Sequence, residues 1–376
     1  RMSNAVRLSA LYGGMFLVIG IMMPFWPVWL DAKGLSAAEI GLVFAAGSTV
    51  RVLSGPLAAR IADRTGERKR PIIFMTISAF VLFLPFAVAD SFWTIFIIQA
   101  CLFGALGPLM PMSESLTMLG AKSHGLDYGR IRLWGSIAFI VGASGVGFFL
   151  KGGTPDMIWT AVLMAISFYV LASFFIPDFR SKPGGKDLAP VSRVLGDKTF
   201  LLFIAATVCI QGSHALYYTF GTLNWLRIGL GEAVIGLLWA EGVIAEVILF
   251  VFAAGTIRKL GPARLIALGG LACLIRWPLM AVADDIWMIA PLQLLHAFTF
   301  GASHLGAIYF IADRMPDEVS ATAQTLYALI VSGLGIGLTS WAAGHLYEVY
   351  TGDAFFIMGA MGGVGMLLAW TLRRPG

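Results

Sequence analysis

The run Ala59-Arg60-Ile61-Ala62-Asp63-Arg64-Thr65-Gly66-Glu67-Arg68-Lys69-Arg70 holds five basic and two acidic residues, in a chain that is only 12% charged. Apolar sequence flanks it, from 37 to 60 and again from 71 to 89. A charged turn between two such stretches is what a membrane crossing leaves outside the hydrocarbon. Each stretch is about 20 residues, the length that carries a helix across ~30 Å of bilayer. Outward from this turn the pattern recurs at 8–30, 92–118, 132–150, 156–176, 200–226, 233–256, 264–283, 286–311, 320–343 and 352–372. Hydrophobic residues make up 58% of the chain, and its mean hydropathy is +0.84. A soluble domain carries roughly twice this share of charge, about 25%. The stretches run through Leu, Ile, Phe, Gly and Ala without alternation, which selects helices over a β-barrel. The expected fold is all-α: a polytopic membrane protein of twelve transmembrane helices.

The loops set the expected orientation. With both termini cytoplasmic, the inside loops and tails hold Arg60, Arg64, Arg68, Lys69, Arg70, Lys182, Lys186, Arg258, Lys259, Arg373 and Arg374. The outside loops hold only Lys33, Lys151 and Arg227. That asymmetry follows the positive-inside rule. The net charge of +5 therefore reports membrane topology, and no basic patch with interleaved aromatics points to nucleic acid. The expected setting is a bacterial cytoplasmic (inner) membrane, with lipid as partner and the monomer as working unit. Only Arg1 and Arg7 precede the first span and no small-residue cleavage site follows it, so it is expected to be a retained helix. Cys101, Cys209 and Cys273 sit inside spans, where single cysteines behave as small hydrophobes.

One composition break divides the chain. Around Pro183, Gly184, Gly185 and Pro190 the sequence turns polar. Residues 178–198 are expected to form a cytoplasmic linker between six-helix bundles at 1–177 and 199–376. An internal repeat supports two parallel halves. Gly34-Leu35 and Ile40-Gly41-Leu42 return 195 residues later as Gly229-Leu230 and Ile235-Gly236-Leu237, and Arg64-Thr65-Gly66 returns as Lys259-Leu260-Gly261. Paired six-helix halves with substrate at their interface are a known transporter plan.

Ionisable residues interrupt the apolar stretches: Glu114, Arg132, Glu241, Glu246, Arg276, His214, His296 and His304. Each costs at least ~2.5–3.5 kcal/mol at membrane depth, so each needs a partner or a wet cavity. Arg132 and Arg276 are the natural holders of an anionic headgroup, because guanidinium grips carboxylate bidentately and stays charged when desolvated. Arg51 is similarly placed, and structural pairing is expected there. Burial favours a neutral carboxyl and a neighbouring arginine favours the carboxylate. A glutamate that changes partners through a conformational cycle therefore carries a proton. Glu114, between Pro108, Pro111 and the end of its span, is the first candidate for proton coupling. Glu246 and Glu241 follow; five apart, they lie ~140° apart around a helix. Glu246 is the one expected to serve Arg276. His304, His296 and His214 titrate in the range that proton transfer needs. Metal binding is not expected. Phe25, Trp26, Trp29, Tyr217, Tyr218, Trp239 and Trp277 either line an aromatic pocket or form the interfacial belt.

The opening run resembles the loop signature of the major facilitator superfamily. Asp63, Arg64, Gly66, Arg68 and Lys69 match it, while Ala59 replaces its first glycine. The resemblance implies that Asp63, Arg64, Gly66 and Arg68 form a gating latch between the halves. Pro24-Phe25-Trp26-Pro27-Val28-Trp29 and Asp127-Tyr128-Gly129-Arg130-Ile131-Arg132-Leu133-Trp134 are similar to the phenylpropionate permease family. So are Gln211-Gly212-Ser213-His214-Ala215-Leu216-Tyr217-Tyr218, Ala245-Glu246, Arg276-Trp277 and Leu295-His296-Ala297-Phe298. This implies a proton-coupled importer of small aromatic acids, working by alternating access. Its substrate contacts would be Phe25, Trp26, Trp29, Arg132, His214, Tyr217, Tyr218, Arg276 and His296. No cofactor is implied.

The lactose permease branch of the superfamily offers a second comparison. Glu114, Arg132, Arg276 and His296 fall at its sugar and proton positions, but Thr299 stands where it has a glutamate and Gln293 where it has a lysine. Sugar or nucleoside symport, export of drugs or metabolites, and membrane ligand sensing are the competing readings. Span five lacks the proline turn common in drug antiporters. No catalytic motif appears, and no loop is long enough to hold an enzymatic domain.

Overall fold

The computed structural model describes residues 2–184 and 189–372; Arg1, Gly185, Lys186, Arg373 and Arg374 lie outside the described residues. Those described are overwhelmingly helical, with no strand among them. Eleven continuous helical segments are long and apolar enough to cross a membrane. The last of them, Asp317–Thr371, is two helices in series. A turn at Thr351–Asp353, with Thr351 at φ +48°, separates 317–350 from Ala354–Thr371.

Twelve membrane helices result: α1 (Asn4–Ala32), α2 (Ala37–Thr65), α3 (Lys69–Val88), α4 (Phe92–His124), α5 (Tyr128–Phe149) and α6 (Asp156–Phe175), then α7 (Lys198–Arg227), α8 (Glu232–Ala253), α9 (Pro262–Val282), α10 (Ile286–Arg314), α11 (317–350) and α12 (Ala354–Thr371). Short polar caps start several of them. Asp127 accepts from the Arg130 amide, Asp197 from Thr199 and Phe200, and Asp285 from Met288. Each occupies otherwise orphaned first-turn donors. The segment between α6 and α7 is not all loop, for Val191–Leu195 forms one short helix and Lys198 already begins α7.

Several helices depart from α geometry. α4 is broken at Gly107-Pro108 and α7 at Ser213-His214. Wider π turns occupy Leu249–Ala253 in α8, Ala297–Ala302 in α10 and Ala328–Gly335 in α11. Such turns cluster at functional positions in proteins generally.

Contacts divide the chain into two compact units: Arg1–Leu35, Ala46–Lys186 and Gly231–Ala240 in the first, Ser36–Ala45, Asp187–Leu230 and Glu241–Gly376 in the second. In the first, α1 packs along α5 and α6; in the second, α9 packs along α12 and α10. The opening turns of α2 thus belong to the second unit, and those of α8 to the first.

The sequence repeat explains both assignments. A methyl group on Gly41 would lie 2.6 Å from the Ser340 carbonyl oxygen and 2.8 Å from Gly344 Cα. One on Gly236, the repeat partner of Gly41, would strike the Ala143 carbonyl oxygen and lie 3.3 Å from Gly147 Cα. Small residues four apart on each helix let the backbones touch, the contact that joins helices where no hydrophobic drive operates between them. Glu348 adds a cap at the α2 contact, its carboxylate accepting from the Ala38 amide at 3.0 Å.

Gly41→Val and Gly236→Val should each destabilise the protein by about 1–3 kcal/mol, the usual cost of overpacking. Gly55→Ala is the control, since nothing lies within 4 Å of its new methyl. Thermal unfolding in detergent measures both, and equal melting of all three variants would contradict the assignment.

Candidate functional site

In the second unit, four helices converge on Arg276. The guanidinium of α9 is fully buried, with its central carbon 4.7 Å from the Tyr217 ring and 4.5 Å from that of Trp277. Its amino groups donate to Gln293 Oε1 at 2.9 Å and Thr299 Oγ1 at 3.0 Å. A third contact runs 3.4 Å to His296 Nδ1. Gln293, in turn, donates to the Tyr217 hydroxyl at 2.9 Å. All three side-chain partners of the cation are uncharged groups on one run of α10. Among the described residues no carboxylate pairs with Arg276, and its Nε–H has no partner.

Chemistry fixes the state of His296. A guanidinium nitrogen only donates, so Nδ1 must accept and Nε2 must carry the hydrogen. Nε2 faces Glu246 Oε2 at 3.4 Å, giving the series Glu246–His296–Arg276. Gly301, inside the π turn of α10, faces Glu246: a methyl added there would lie in ordinary contact with Glu246 Cγ, at 3.5 Å. Glu246 and Arg276 are thus joined through His296 instead of directly. Phe300 lies stacked between His296 and His304, at 5.6 and 5.4 Å.

His214 sits at the break in α7. Its Nδ1 is 3.0 Å from the Ile210 carbonyl oxygen, so Nδ1 donates and Nε2 is an acceptor. That acceptor is buried without a partner among the described residues. Tyr218 stacks on the His214 ring at 5.5 Å, and the Trp277 edge meets it at 5.3 Å. Ser213 holds Trp277 in place by accepting its indole N–H at 3.0 Å. Glu241, half-buried, makes no hydrogen bond or ion pair among the described residues.

The first unit carries its own carboxylate–arginine group. The Tyr128 hydroxyl reaches Glu114 Oε1 at 3.5 Å. Arg132 lies over the rings of Phe16 and Tyr12, at 4.1 and 5.8 Å, in the room that Gly135 leaves one turn on. Glu114 and Arg132 are neighbours without an ion pair. Arg51 also differs from its expectation of a structural partner: among the described residues it forms no ion pair.

The aromatic residues of α1 are placed in packing. Phe25, Trp26 and Trp29 are buried to within 1%. The Trp26 and Trp29 rings stack 4.4 Å apart at 7°, against Phe83 and Phe86. Trp26 donates to Gln99 at 2.7 Å. Their surroundings are other side chains of the same unit.

The basic turn is bonded to its own unit through Arg68. Arg68, 5% exposed, donates to Asp63 at 3.2 Å, Ser115 at 2.6 Å and Ser181 at 2.8 Å. Gly66, at φ +72°, accepts from the Ser181 amide at 3.2 Å, and the Asp63 carbonyl accepts from Gly184. Glu67 pairs with Arg180 at 3.0 Å. These bonds clamp the start of the linker onto the turn within one unit. Arg64, exposed, takes no part.

The family follows from comparison with known proteins. The model of the MFS_1 like family matches residues 5–358. The chain belongs to this family of the major facilitator superfamily. It is 31% identical, over 91% of each chain, to a probable 3-phenylpropionic acid transporter of Escherichia coli strain K12. A maltose permease of Geobacillus stearothermophilus is 24% identical over 96% of this chain and 92% of that one. Among solved structures, nucleoside transporter NupG superposes with a TM-score of 0.87, covering 100% of both chains at 14% identity. The chain is therefore an integral membrane protein of a transporter family, with the superfamily's fold.

Gln293, Thr299 and Gln99 had no place among the candidates from sequence. The available signal was spacing: Gln293, His296 and Thr299 fall three apart in an otherwise apolar span. Arg68→Ala should expose the linker start, speeding tryptic cleavage after Arg180 several-fold in detergent. Asp63→Asn should do so less. Unchanged cleavage in Arg68→Ala would refute the clamp.

Proposed function

We propose that this protein is a proton-coupled symporter that imports a small aromatic carboxylic acid across the bacterial inner membrane, by alternating access and as a monomer with cytoplasmic termini. One observation carries the reading: Arg276 is a fully buried cation whose described partners are all neutral. A buried guanidinium without a counter-ion is a strong site for a planar monoanion, which it can hold bidentately. Tyr217, Tyr218 and Trp277 around it suit an aromatic body. The relative that prints 3-phenylpropionic acid in its name supports the same class.

Coupling follows from the tautomer. An anion that draws the Arg276 amino group away from His296 frees the Nδ1 lone pair for a proton. The imidazolium so formed has Glu246 waiting at its other nitrogen. Substrate and proton then favour each other's binding, which is symport by linkage. In this reading His296 and Glu246 carry the proton, and Glu114 with Tyr128 and Arg132 forms a second exchange point. His304 and Glu241 stand beside the route. His214 Nε2 is an acceptor for a hydrogen-bond donor on the substrate.

Gln293→Glu tests the anion site with little change of shape. It sets a carboxylate at the atom 2.9 Å from Arg276, so an arriving acid meets a neutralised cation. Binding of 3-phenylpropionate, read by thermal shift against sugars and nucleosides, should weaken at least tenfold, about 1.4 kcal/mol. Unaltered binding would remove Arg276 from the site. Glu246→Gln should retain binding and counterflow exchange while losing accumulation driven by a pH gradient. Accumulation that persists moves the proton to Glu114, whose Gln variant is run in parallel.

A further inference from the structure

α2 carries an unexplained cation. Arg51 lies 14 residues from each end of Ala37–Thr65, or ~21 Å at the helical rise. That places it at the middle of a membrane-crossing helix, the depth at which charge is most costly. Its side chain is exposed, with no ion pair and no side-chain hydrogen bond among the described residues.

The helix itself indicates what Arg51 is exposed to. At 100° per residue, Leu42, Leu53 and Leu57 lie roughly 120–180° around from Arg51. Those three leucines are exposed and form the face an apolar solvent would cover. Ser48, Ala58 and Ala62 lie within about 60° of Arg51, and all three are buried, at 7%, 5% and 3%. Arg51 therefore stands on the packed face of α2, in line with Ser48, Ala58 and Ala62 and turned away from the exposed leucines.

A purely structural role meets an obstacle. The stem of Arg51 lies on the α4 break, where a methyl on Gly107 would come within 2.7 Å of Arg51 Cγ. Pro108 and Pro111 lack the N–H groups that would satisfy the Gly104 and Gly107 carbonyls. A guanidinium is a natural donor to such carbonyls at a helix end. Yet neither accepts from Arg51 among the described residues. Glu114 lies seven residues farther along α4, ~10 Å at the helical rise, and already has Tyr128 as its partner.

We propose that Arg51 is a second carboxylate-binding residue, a mid-membrane station for the substrate anion on the first unit. The inference rests on the organic-acid reading above and extends it from one anion contact to two. The Arg51 side chain is exposed where that of Arg276 is fully buried. A planar guanidinium fork at this depth selects carboxylates over their neutral analogues.

The experiment compares 3-phenylpropionate with uncharged 3-phenylpropanamide in proteoliposomes of the full chain. Arg51→Gln keeps the stem that packs on Gly107 and removes the charge; Arg51→Lys keeps the charge and loses the fork. Arg51→Gln should raise KM for the acid about tenfold while leaving the amide unchanged, and Arg51→Lys should restore part of the difference. An unchanged acid-to-amide ratio in Arg51→Gln overturns the station. So does equal loss in both variants with folding intact. A second measurement needs no variant: the acid, unlike the amide, should protect Arg51 of the wild-type protein from phenylglyoxal, read by mass spectrometry. Absence of protection overturns the proposal. A wild-type protein that does not distinguish acid from amide, or transports neither, refutes the organic-acid reading instead.

Discussion

A guanidinium moved into a low-dielectric interior costs several kcal/mol even after its surroundings relax. Arg276 meets that cost with dipoles and rings alone. Gln293, Thr299 and His296 supply three acceptors from one helix, while the neighbouring rings of Tyr217 and Trp277 lie against the guanidinium. Each support is held by another: Gln293 by Tyr217, Trp277 by Ser213, His296 by Glu246. The break in α7 and the π turn in α10 bring these groups to one level. The result is a cation that is solvated by the protein but not neutralised by it. An anion bound there, as proposed, would find its partner desolvated in advance, with part of the usual cost of binding met during folding.

The same economy governs the backbone. Within hydrocarbon every amide and carbonyl must be satisfied internally, so irregular backbone is confined to places with other support. The Ser213-His214 break is bridged by Ser213 and His214, both bonded to the Ile210 carbonyl. Elsewhere contact is made by removing side chains. Where Gly41 meets Gly344, and Gly236 meets Gly147, the two backbones touch and leave no room for a methyl.

Most of the fold was legible because the solvent imposes it. Hydropathy located the spans, and the two that run together at Thr351 were separable by the apolar sequence on either side. The repeat was legible as a pattern; its cause, backbone contact at Gly41 and Gly236, needed the facing helices. The sites were legible by residue type but less so by partner. Arg276 and His296 stood out as ionisable groups in oil, whereas Gln293 and Thr299 did not, being neutral. Those two are also the departures from the lactose permease pattern, and they are what leaves Arg276 without a charged neighbour. The packing of Trp26 and Trp29 was not legible, because a span apolar on every side does not show which face is packed. The turn around Asp63 was recognisable from its own residues, but its partners Ser115 and Ser181 lie 47 and 113 residues from Arg68, beyond any local pattern.

The paired indoles of α1 have an optical consequence. Trp26 and Trp29 lie almost parallel, 4.4 Å apart, close enough for their electronic transitions to mix. Light absorbed by one is shared with the other. The pair is therefore a chromophore of its own within a protein that holds 11 tryptophans. Its signal belongs to the junction of α1 with Phe83 and Phe86, and it changes only when those helices do.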